Sequence, residues 1–477
     1  MHGGERPAIR PVQNDPVIGA HSPLRVLAGH AGGARRGPLA AALAATLLLC
    51  AVLPPAAASA AASSALLGSI SQSCTLTATL DVEHGTVVAV ERLTVRNRSR
   101  SRIDALDLSV LPRAIGAYRA DGPVTVAGQR AATRWTTGTN LRVTVRPALA
   151  PGRAATVTIP FRLSLADGDG SFGARMGLTG GVLNLGDWYP VLSTVHDAHG
   201  VGDPQVTWAA DRIRLELTLP DSVDPDQVAA SGERVGWDPA RRRLVVEVRH
   251  ARNAAVAVSP AYLVTEQDVD GTRVRVLTLG DTGEAAMDHV AAALRRYTDW
   301  YGPYPFPTLD VAETGVAEFG QEYPGLIFLG RDVLDSPFGI WHEIAHEWWY
   351  ALVGNDQIRE PWVDEAVATF SSLHALGIPA VTCSTLPVDL PITAWPAEPT
   401  TGDWTGCDGY AETVYLRGAV FLDAVRTTMG TDLFFGTLRA FVAAHRWQVV
   451  GGRDLVDAFR SADIATDAVI REFTSYR

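Results

Sequence analysis

Two histidines four residues apart, with one glutamate between them and another downstream, are the residues best suited to chemistry in this sequence. His342, Glu343 and His346 form an H-E-x-x-H motif, and Glu365 follows after eighteen intervening residues. On a helix, side chains four residues apart project from the same face. Two imidazoles and one carboxylate bind Zn²⁺ and leave one position open, as in catalytic zinc sites. We predict that His342, His346 and Glu365 bind Zn²⁺ and that Glu343 is the general base for a water activated by the metal.

The alternative interpretation is a helix with two solvated histidines and a solvated glutamate. A chance H-E-x-x-H followed by a glutamate at a defined distance is rare, so we favour the metal site. Histidine ligands also need partners for their outer ring nitrogens. Asp364 and Glu347 are candidates for this role, although a solvated helix face explains them equally well.

The composition limits the class of protein. The chain has 477 residues, of which 47 % are hydrophobic and 19 % charged, so it can bury large cores and should hold more than one domain. Its net charge of -11 provides no basic surface for phosphates, and we expect no nucleic-acid partner.

The amino-terminal segment has the pattern of an export signal. Arg35 and Arg36 precede an apolar run over residues 39–53, Pro54 ends it, and small residues over 56–62 offer A-x-A cleavage sites. The run is short for a membrane-spanning helix. We therefore predict a secretory signal peptide and a secreted or extracytoplasmic protein. The alternative is an uncleaved signal anchor, and only then would the protein contact a membrane. The cleavage site and the true start codon stay open.

Three cysteines would remain after cleavage: Cys74, Cys383 and Cys407. An exported protein can hold a disulfide. We favour a bridge between Cys383 and Cys407, which flank a proline-rich stretch, but three cysteines also allow other pairings.

The chain changes character near its middle. Residues 74–264 read almost wholly as strands with glycine and proline turns, and residues 211–219 alternate polar and apolar side chains most clearly. From residue 284 onward, helical spacing dominates. The other predicted strands cover residues 76–82, 91–95, 156–161, 244–248 and 309–312, and the predicted helices cover residues 284–300, 413–429, 433–444 and 452–460, with Thr282 as a cap of the first.

The order of these segments resembles the aminopeptidase N family of gluzincin zinc metallopeptidases, which share the pattern HExxH-x18-E. Residues 342–348 match that family's zinc helix, and residues 362–365 match its third-ligand helix. The resemblance implies an α+β multidomain fold, with an antiparallel β-rich saddle or sandwich followed by a thermolysin-like, mainly helical zinc catalytic domain. The predicted division is 1–62 for the signal peptide and amino-terminal extension, 66–265 for the β-rich domain and 266–477 for the peptidase domain.

Two further segments resemble the family's substrate-binding elements. Residues 320–325 match the strand whose glutamate holds the substrate's free α-amino group, which implies this role for Glu322, with Gly320 and Gln321 also at the substrate. The edge of such a strand can also pair with an extended peptide. The match of residues 415–419 implies that Tyr415 stabilises the oxyanion. Alone, Glu322 could equally be a solvated carboxylate and Tyr415 a core tyrosine.

Three features depart from the family's pattern. Gln321 stands where many relatives have methionine, and Tyr323 where they often have asparagine. The usual amino-terminal-domain glutamine that helps hold the amine is not evident near Trp188. The sequence reaches Arg477 without the large helical domain that covers the cavity in long members. We therefore expect a more open cleft and a looser demand for a free amino terminus.

Together these patterns predict an exported zinc-dependent metallopeptidase with one Zn²⁺ per chain and peptides as substrates. Aminopeptidase activity is the favoured form. The alternatives are an endopeptidase with a more open cleft and a catalytically silent scaffold or peptide-binding module. Side-chain specificity, the physiological substrate and the oligomeric state cannot be inferred from the sequence.

Overall fold

A computed structural model describes residues 69–165, 175–193, 207–316, 320–382, 391–393 and 411–477. The predicted signal segment and the predicted bridge between Cys383 and Cys407 lie outside these ranges. Cys74 lies within them as a buried free thiol. In the ranges given, no helix combines the length and the apolar character needed to cross a membrane.

The first part of this structure consists of strands, in agreement with the alternation of polar and apolar residues. In β2 (Thr86–Asn97), every second side chain is buried, as expected for a strand with one face on a core. The remaining strands of this part are β1 (Ile70–Asp81), β3 (Ile103–Ser109), β4 (Tyr118–Ala120), β5 (Thr125–Val126), β6 (Gln129–Arg130), β7 (Thr133–Trp135), β8 (Asn140–Leu149), β9 (Ala154–Ser164), β10 (Met176–Thr179), β11 (Val182–Leu185), β12 (Val191–Leu192), β13 (Arg212–Thr218), β14 (Val228–Ala230), β15 (Glu233–Asp238), β16 (Arg243–Val248) and β17 (Val256–Val258), with 3₁₀ turns at Leu111–Arg113 and Pro225–Gln227.

These strands form three sheets around one apolar core. The largest has the order β15-β16-β13-β1-β2-β9-β5-β6, with β4 also paired to β9. It is antiparallel except where β1 pairs with β13. The two four-stranded sheets have the orders β10-β11-β17-β14 and β12-β3-β8-β7. Buried side chains from all three, such as Leu108, Phe161 and Leu185, belong to the same cluster.

The second part combines a five-stranded sheet with helices. The sheet has the order β18-β19-β20-β22-β21, which leaves β21 at one edge. Its strands are β18 (Leu263–Val269), β19 (Thr272–Thr278), β20 (Thr308–Glu313), β21 (Gly320–Tyr323) and β22 (Leu326–Leu329); a short pair is formed by β23 (Gly354–Asn355) and β24 (Val449–Val450). The helices are α1 (Gly283–Tyr301), α2 (Arg331–Leu334), α3 (Pro337–Ala345), α4 (Trp362–Leu376), α5 (Arg417–Met429), α6 (Thr431–Ala444), α7 (Gly452–Ala462) and α8 (Thr466–Phe473), and a π-helical turn covers Ala411–Leu416.

The predicted fold class is confirmed, since a β-rich part precedes a mainly helical one. The helix predicted over 413–429 differs in detail, because its first residues belong to the π-helical turn. Thr282 occupies the N-cap position of α1 but makes no side-chain capping bond there. The domain boundary predicted between residues 265 and 266 falls within β18 and stays a prediction.

The two parts meet through one face of the five-stranded sheet. Val182 and Ala257 of the β10-β11-β17-β14 sheet share an apolar cluster with Leu277 and Phe328. A buried ion pair between Arg275 and Asp310 lies at the same junction, where Asp310 also accepts a hydrogen bond from the backbone of β14. This packing brings loops of the first part against β21.

Candidate metal centre and active site

The two histidines of the motif lie at the carboxyl end of α3. Proline at the first position of this helix starts it without losing a hydrogen bond. His342 lies within α3, and His346 follows its last residue while keeping helical backbone angles. Their rings therefore project to the same side, as the spacing predicts. Glu365 lies in the first turn of α4, which packs directly on α3.

The three predicted ligands meet in a small buried triangle. Nε2 of His342 lies 3.2 Å from Nε2 of His346 and 3.2 Å from Oε2 of Glu365, and His346 Nε2 lies 3.4 Å from the same oxygen. Ligands at about 2.0–2.1 Å from a tetrahedral zinc are separated by about 3.3 Å. The donor set and the spacing therefore fit Zn²⁺. The three residues are at most 8 % exposed.

The outer nitrogens of the histidines face partners that the sequence did not indicate. Nδ1 of His346 lies 3.1 Å from the carbonyl oxygen of Trp349, and Nδ1 of His342 lies 3.5 Å from the hydroxyl of Thr369. The two carboxylates considered from the sequence, Asp364 and Glu347, make their hydrogen bonds elsewhere. Glu347 directly follows His346, and consecutive residues of a helix point about 100° apart. The sequence left these two carboxylates as open candidates beside a solvated helix face, and the structure shows both of them buried, at 1 % exposure.

Burial and neighbouring charges shift the pKa values of these three side chains in opposite directions. Burial lowers the pKa of His342. Burial alone would also lower the pKa of His346, but the carboxylates of Glu322, Glu365 and Glu343 outweigh it and raise that pKa. The pKa of Glu365 lies below its usual range, because the two histidines outweigh the opposing effect of burial. Neutral imidazole and ionised carboxylate are the forms that bind a metal.

Two further carboxylates lie beside the triangle. Glu343 and Glu322 form a buried group with His346, in which the ligand atoms lie within 4.8 Å of one another. Glu322 is on the edge strand β21, with Gly320 and Gln321 beside it. The structure thus brings the predicted base and the predicted amine-binding residue together at one side of the candidate metal site.

Tyr415 reaches the site from the π-helical turn. Its ring stacks on that of His342, with centroids 5.8 Å apart and planes inclined by 19°. The turn continues into α5, which packs tightly on α4 because Gly418 lies against Ala366. A π-helical turn shifts the side chains that follow it and is frequent at functional sites. The sequence predicts a helix here but contains no recognisable signal for this turn.

Glu347 connects the end of α3 to the turn between β21 and β22. Its two carboxylate oxygens accept hydrogen bonds from the backbone N–H of Gly325 at 3.2 and 3.1 Å, and the Tyr304 hydroxyl donates to it at 3.2 Å. Burial raises the pKa of Glu347 to about 8. The edge strand β21 is therefore linked by hydrogen bonds to the segment that carries the candidate metal ligands His342 and His346.

The similarity of this chain to known proteins is clearest in its three-dimensional structure. The M1 zinc metallopeptidase of Deinococcus radiodurans superimposes with a TM-score of 0.64 over 86 % of this chain and 94 % of its own, at 19 % identity. Yeast LTA4 hydrolase gives a TM-score of 0.61 over 86 % of this chain and 68 % of its own, at 12 % identity. The chain has the fold of the M1 zinc metallopeptidases.

The similarity in amino-acid sequence covers a smaller part of the chain. No family model matches the chain. Aminopeptidase M1-B of Oryza sativa subsp. japonica is 24 % identical over 233 residues, which is 42 % of this chain. The matched stretch spans about a quarter (26 %) of the rice protein's length. Both kinds of comparison agree with the resemblance carried by the zinc-helix and third-ligand motifs.

Proposed function

We propose that this protein is a zinc-dependent metallopeptidase that removes residues from the amino terminus of peptides. The observation that carries the proposal is the buried triangle of His342, His346 and Glu365, whose edges of 3.2–3.4 Å fit one zinc ion. Glu343 and Glu322 lie directly beside it. A structural zinc site would need no such carboxylates and would use four protein ligands.

Glu343 is the proposed general base. Zn²⁺, when bound to the triangle, supplies a Lewis acid that lowers the pKa of water and polarises a carbonyl oxygen. Glu343 takes a proton from the attacking water and returns it to the leaving amine as the peptide bond breaks. Its position one residue after His342 places its carboxylate beside the three residues that would hold Zn²⁺.

Tyr415 and Glu322 are proposed to bind opposite charges of the substrate. The Tyr415 hydroxyl donates a hydrogen bond to the oxygen on which negative charge develops, a contact that strengthens in the transition state. Glu322 holds the positively charged α-amino group, and β21, the last strand of its sheet among the described residues, would pair with the peptide backbone. Hydrolysis would therefore begin at the amino terminus.

The ligands of the structural neighbours support this choice of substrate. One solved form of the Deinococcus radiodurans protein is a mutant bound to Tyr-Ser-Ala. Two-domain M1 zinc metallopeptidase mutants were solved with L-arginine and with L-tryptophan. Those ligands carry a free α-amino group, which is the group that Glu322 would hold here.

The test is hydrolysis by purified protein, with and without metal. We expect release of the first residue from unblocked peptides, loss of activity on removal of zinc with 1,10-phenanthroline, and recovery on adding Zn²⁺. Glu343→Gln should retain zinc but lose hydrolysis, whereas His346→Ala should lose both. Stoichiometric zinc binding without hydrolysis of any unblocked or blocked peptide would contradict the proposal and favour a silent peptide-binding module.

Amino-blocked peptides distinguish an aminopeptidase from an endopeptidase. If Glu322 binds the amine, acetylation of the amino terminus should abolish most cleavage. Such strict dependence would refute the looser demand for a free amino terminus that the sequence led us to expect. Equal cleavage of free and acetylated peptides would favour an endopeptidase.

Export is a further proposal, supported by the signal-like residues 35–62. Cell fractionation of the full chain would test it, and exclusively cytoplasmic protein would contradict it.

A further inference from the structure

Glu322 is held from two sides by uncharged donors. Nε2 of Gln321 donates to Oε2 of Glu322 at 2.7 Å, and Nε2 of Gln357 lies 3.3 Å from Oε1. Gln321 is the neighbouring residue on β21, whereas Gln357 comes from the loop between β23 and α4. Both residues are buried, at 5 % and 7 % exposure. The two oxygens of one carboxylate are thus fixed by two different elements.

Gln357 also reaches the start of α4. The same Nε2 donates to Oδ2 of Asp364 at 2.8 Å. Asp364 in turn accepts a hydrogen bond from Asn355 at 2.8 Å and one from the backbone N–H of Glu365 at 3.1 Å. The amide of Gln357 therefore bridges the carboxylate proposed to hold the amine and the residue that precedes a proposed zinc ligand.

The orientation of Gln321 is set by the first part of the chain. Arg175 donates to Oε1 of Gln321, which leaves Nε2 to face Glu322. The charge of Arg175 is balanced by Asp187, whose Oδ2 lies 3.3 Å away, and Asn253 donates to the other oxygen of Asp187 at 3.1 Å. The carboxylate of Asp187 therefore compensates the positive charge of Arg175, so that this charge does not neutralise Glu322.

We propose that Gln321 and Gln357 are positioning residues that set the distance and direction between Glu322 and the metal centre. This inference rests on the proposed function. An exopeptidase cuts at a fixed distance from the amine that it holds, so the carboxylate must not swing. Carboxamides suit this task because they donate without cancelling the negative charge that attracts an ammonium group. Arginine or lysine at the same places would neutralise it.

The test uses Gln357→Met and Gln321→Met, which keep the side-chain length and remove the donors. L-Tryptophan and N-acetyl-L-tryptophan are titrated calorimetrically into the zinc-loaded protein, and KM and kcat are measured with leucine p-nitroanilide. We expect each variant to bind L-tryptophan about 10-fold more weakly, as for loss of a hydrogen bond to a charged group, and to raise KM more than it lowers kcat. Affinity for N-acetyl-L-tryptophan should stay unchanged.

The control is Gln267→Met, which alters an exposed glutamine of β18 and should leave both affinities unchanged. The benchmark is Glu322→Gln, which should remove the preference for the free amine. If wild-type protein shows no such preference, the proposed function fails. If wild-type protein and Glu322→Gln behave as expected but Gln357→Met and Gln321→Met keep the full preference, only this inference fails. Should one variant not fold, as judged by circular dichroism, the other decides.

Discussion

The main chain of Gly320 lies directly against the carboxylate of Glu343, so that a Cβ atom at position 320 would overlap Oε1 of Glu343. Gly320 begins the edge strand β21, and Glu343 belongs to α3, which also carries the candidate ligand His342. Absence of a side chain therefore determines how closely the proposed substrate-binding strand approaches the proposed base.

Gly320→Ala should displace the Glu343 carboxylate or the strand. Because a misplacement of about 1 Å at a catalytic group can cost about 100-fold, we expect kcat/KM to fall by roughly 10- to 100-fold. Zinc content, measured by atomic absorption, should be unchanged since His342, His346 and Glu365 are untouched. Gly436→Ala is the matched control, because a Cβ there meets nothing within 4 Å. Equal activity of both variants would show that the contact is unimportant.

Tyr415→Phe should distinguish the role of the Tyr415 hydroxyl from that of its ring. The phenyl ring can still stack on His342, so zinc binding and folding should persist. Loss of an oxyanion donor typically lowers kcat by about 100- to 1000-fold, and KM should change little. Steady-state kinetics with an unblocked peptide provide the measurement. Tyr118→Phe on β4 is the control, and a Tyr415→Phe variant as active as this control would remove Tyr415 from the mechanism.

Glu91 should make the first part of the chain less stable as the pH rises. This side chain is fully buried, its Oε1 lies 3.5 Å from the Cys74 thiol, and its Oε2 has no partner among the described residues. Burial raises the pKa of Glu91 from 4.5 to about 8. The unfolded chain therefore releases a proton that the folded protein retains between these values, and the free energy of unfolding falls by about 1.4 kcal/mol per pH unit across that window.

Glu91→Gln should remove this contribution, because a carboxamide of the same shape does not ionise. Urea unfolding at several pH values between 5 and 8.5 measures the effect. The variant should gain stability relative to wild type as the pH rises, and the difference should become constant above about pH 8. Glu233→Gln, at an exposed position, is the control. Parallel pH profiles for Glu91→Gln and wild type would contradict the prediction.

Arg252 should contribute strongly to stability. Its buried guanidinium donates to the carbonyl oxygens of Tyr350, Thr207 and Gln448 at 2.6–2.7 Å, and burial lowers its pKa to about 10. Arg252→Met removes a buried donor from all three oxygens, of which that of Gln448 keeps a hydrogen bond from the Gly354 N–H. The loss should cost about 3 kcal/mol or more in the free energy of unfolding.

The measurement is urea denaturation followed by tryptophan fluorescence. Arg249→Met is the matched control, since Arg249 is exposed and its ion pair with Glu247 should contribute at most about 1 kcal/mol. Similar losses in both variants would show that the three carbonyl contacts do not stabilise the protein. Since Tyr350 follows His346 closely, Arg252→Met should also weaken zinc binding.

Much of this protein could be predicted from local patterns. The strand predicted over 211–219 appears as β13 (Arg212–Thr218), because alternating side chains commit a segment to one buried face. The helical spacing after residue 284 appears as α1 (Gly283–Tyr301). The four-residue spacing of His342 and His346 correctly placed both rings on one side of a helix.

Contacts between distant residues could not be predicted in this way. Arg175 meets Gln321 across 146 positions, and Arg252 meets Gln448 across 196. Neither arginine stands in a recognisable motif, and an isolated arginine is usually solvated. The partners of the histidine rings were missed for a related reason: one of them is a backbone carbonyl, which every residue carries.

The sequence by itself determined the chemistry that is available here. A periodic helix with His342, Glu343 and His346, followed by Glu365, specifies a candidate zinc site because ligand type and helical spacing are local properties. Only the tertiary structure decided which groups surround that site. The packing of α4 on α3 closes the ligand triangle, the approach of β21 places Glu322 beside Glu343, and Gln357 bridges Glu322 to Asp364 at the start of α4. These contacts depend on where distant elements pack rather than on neighbouring residues.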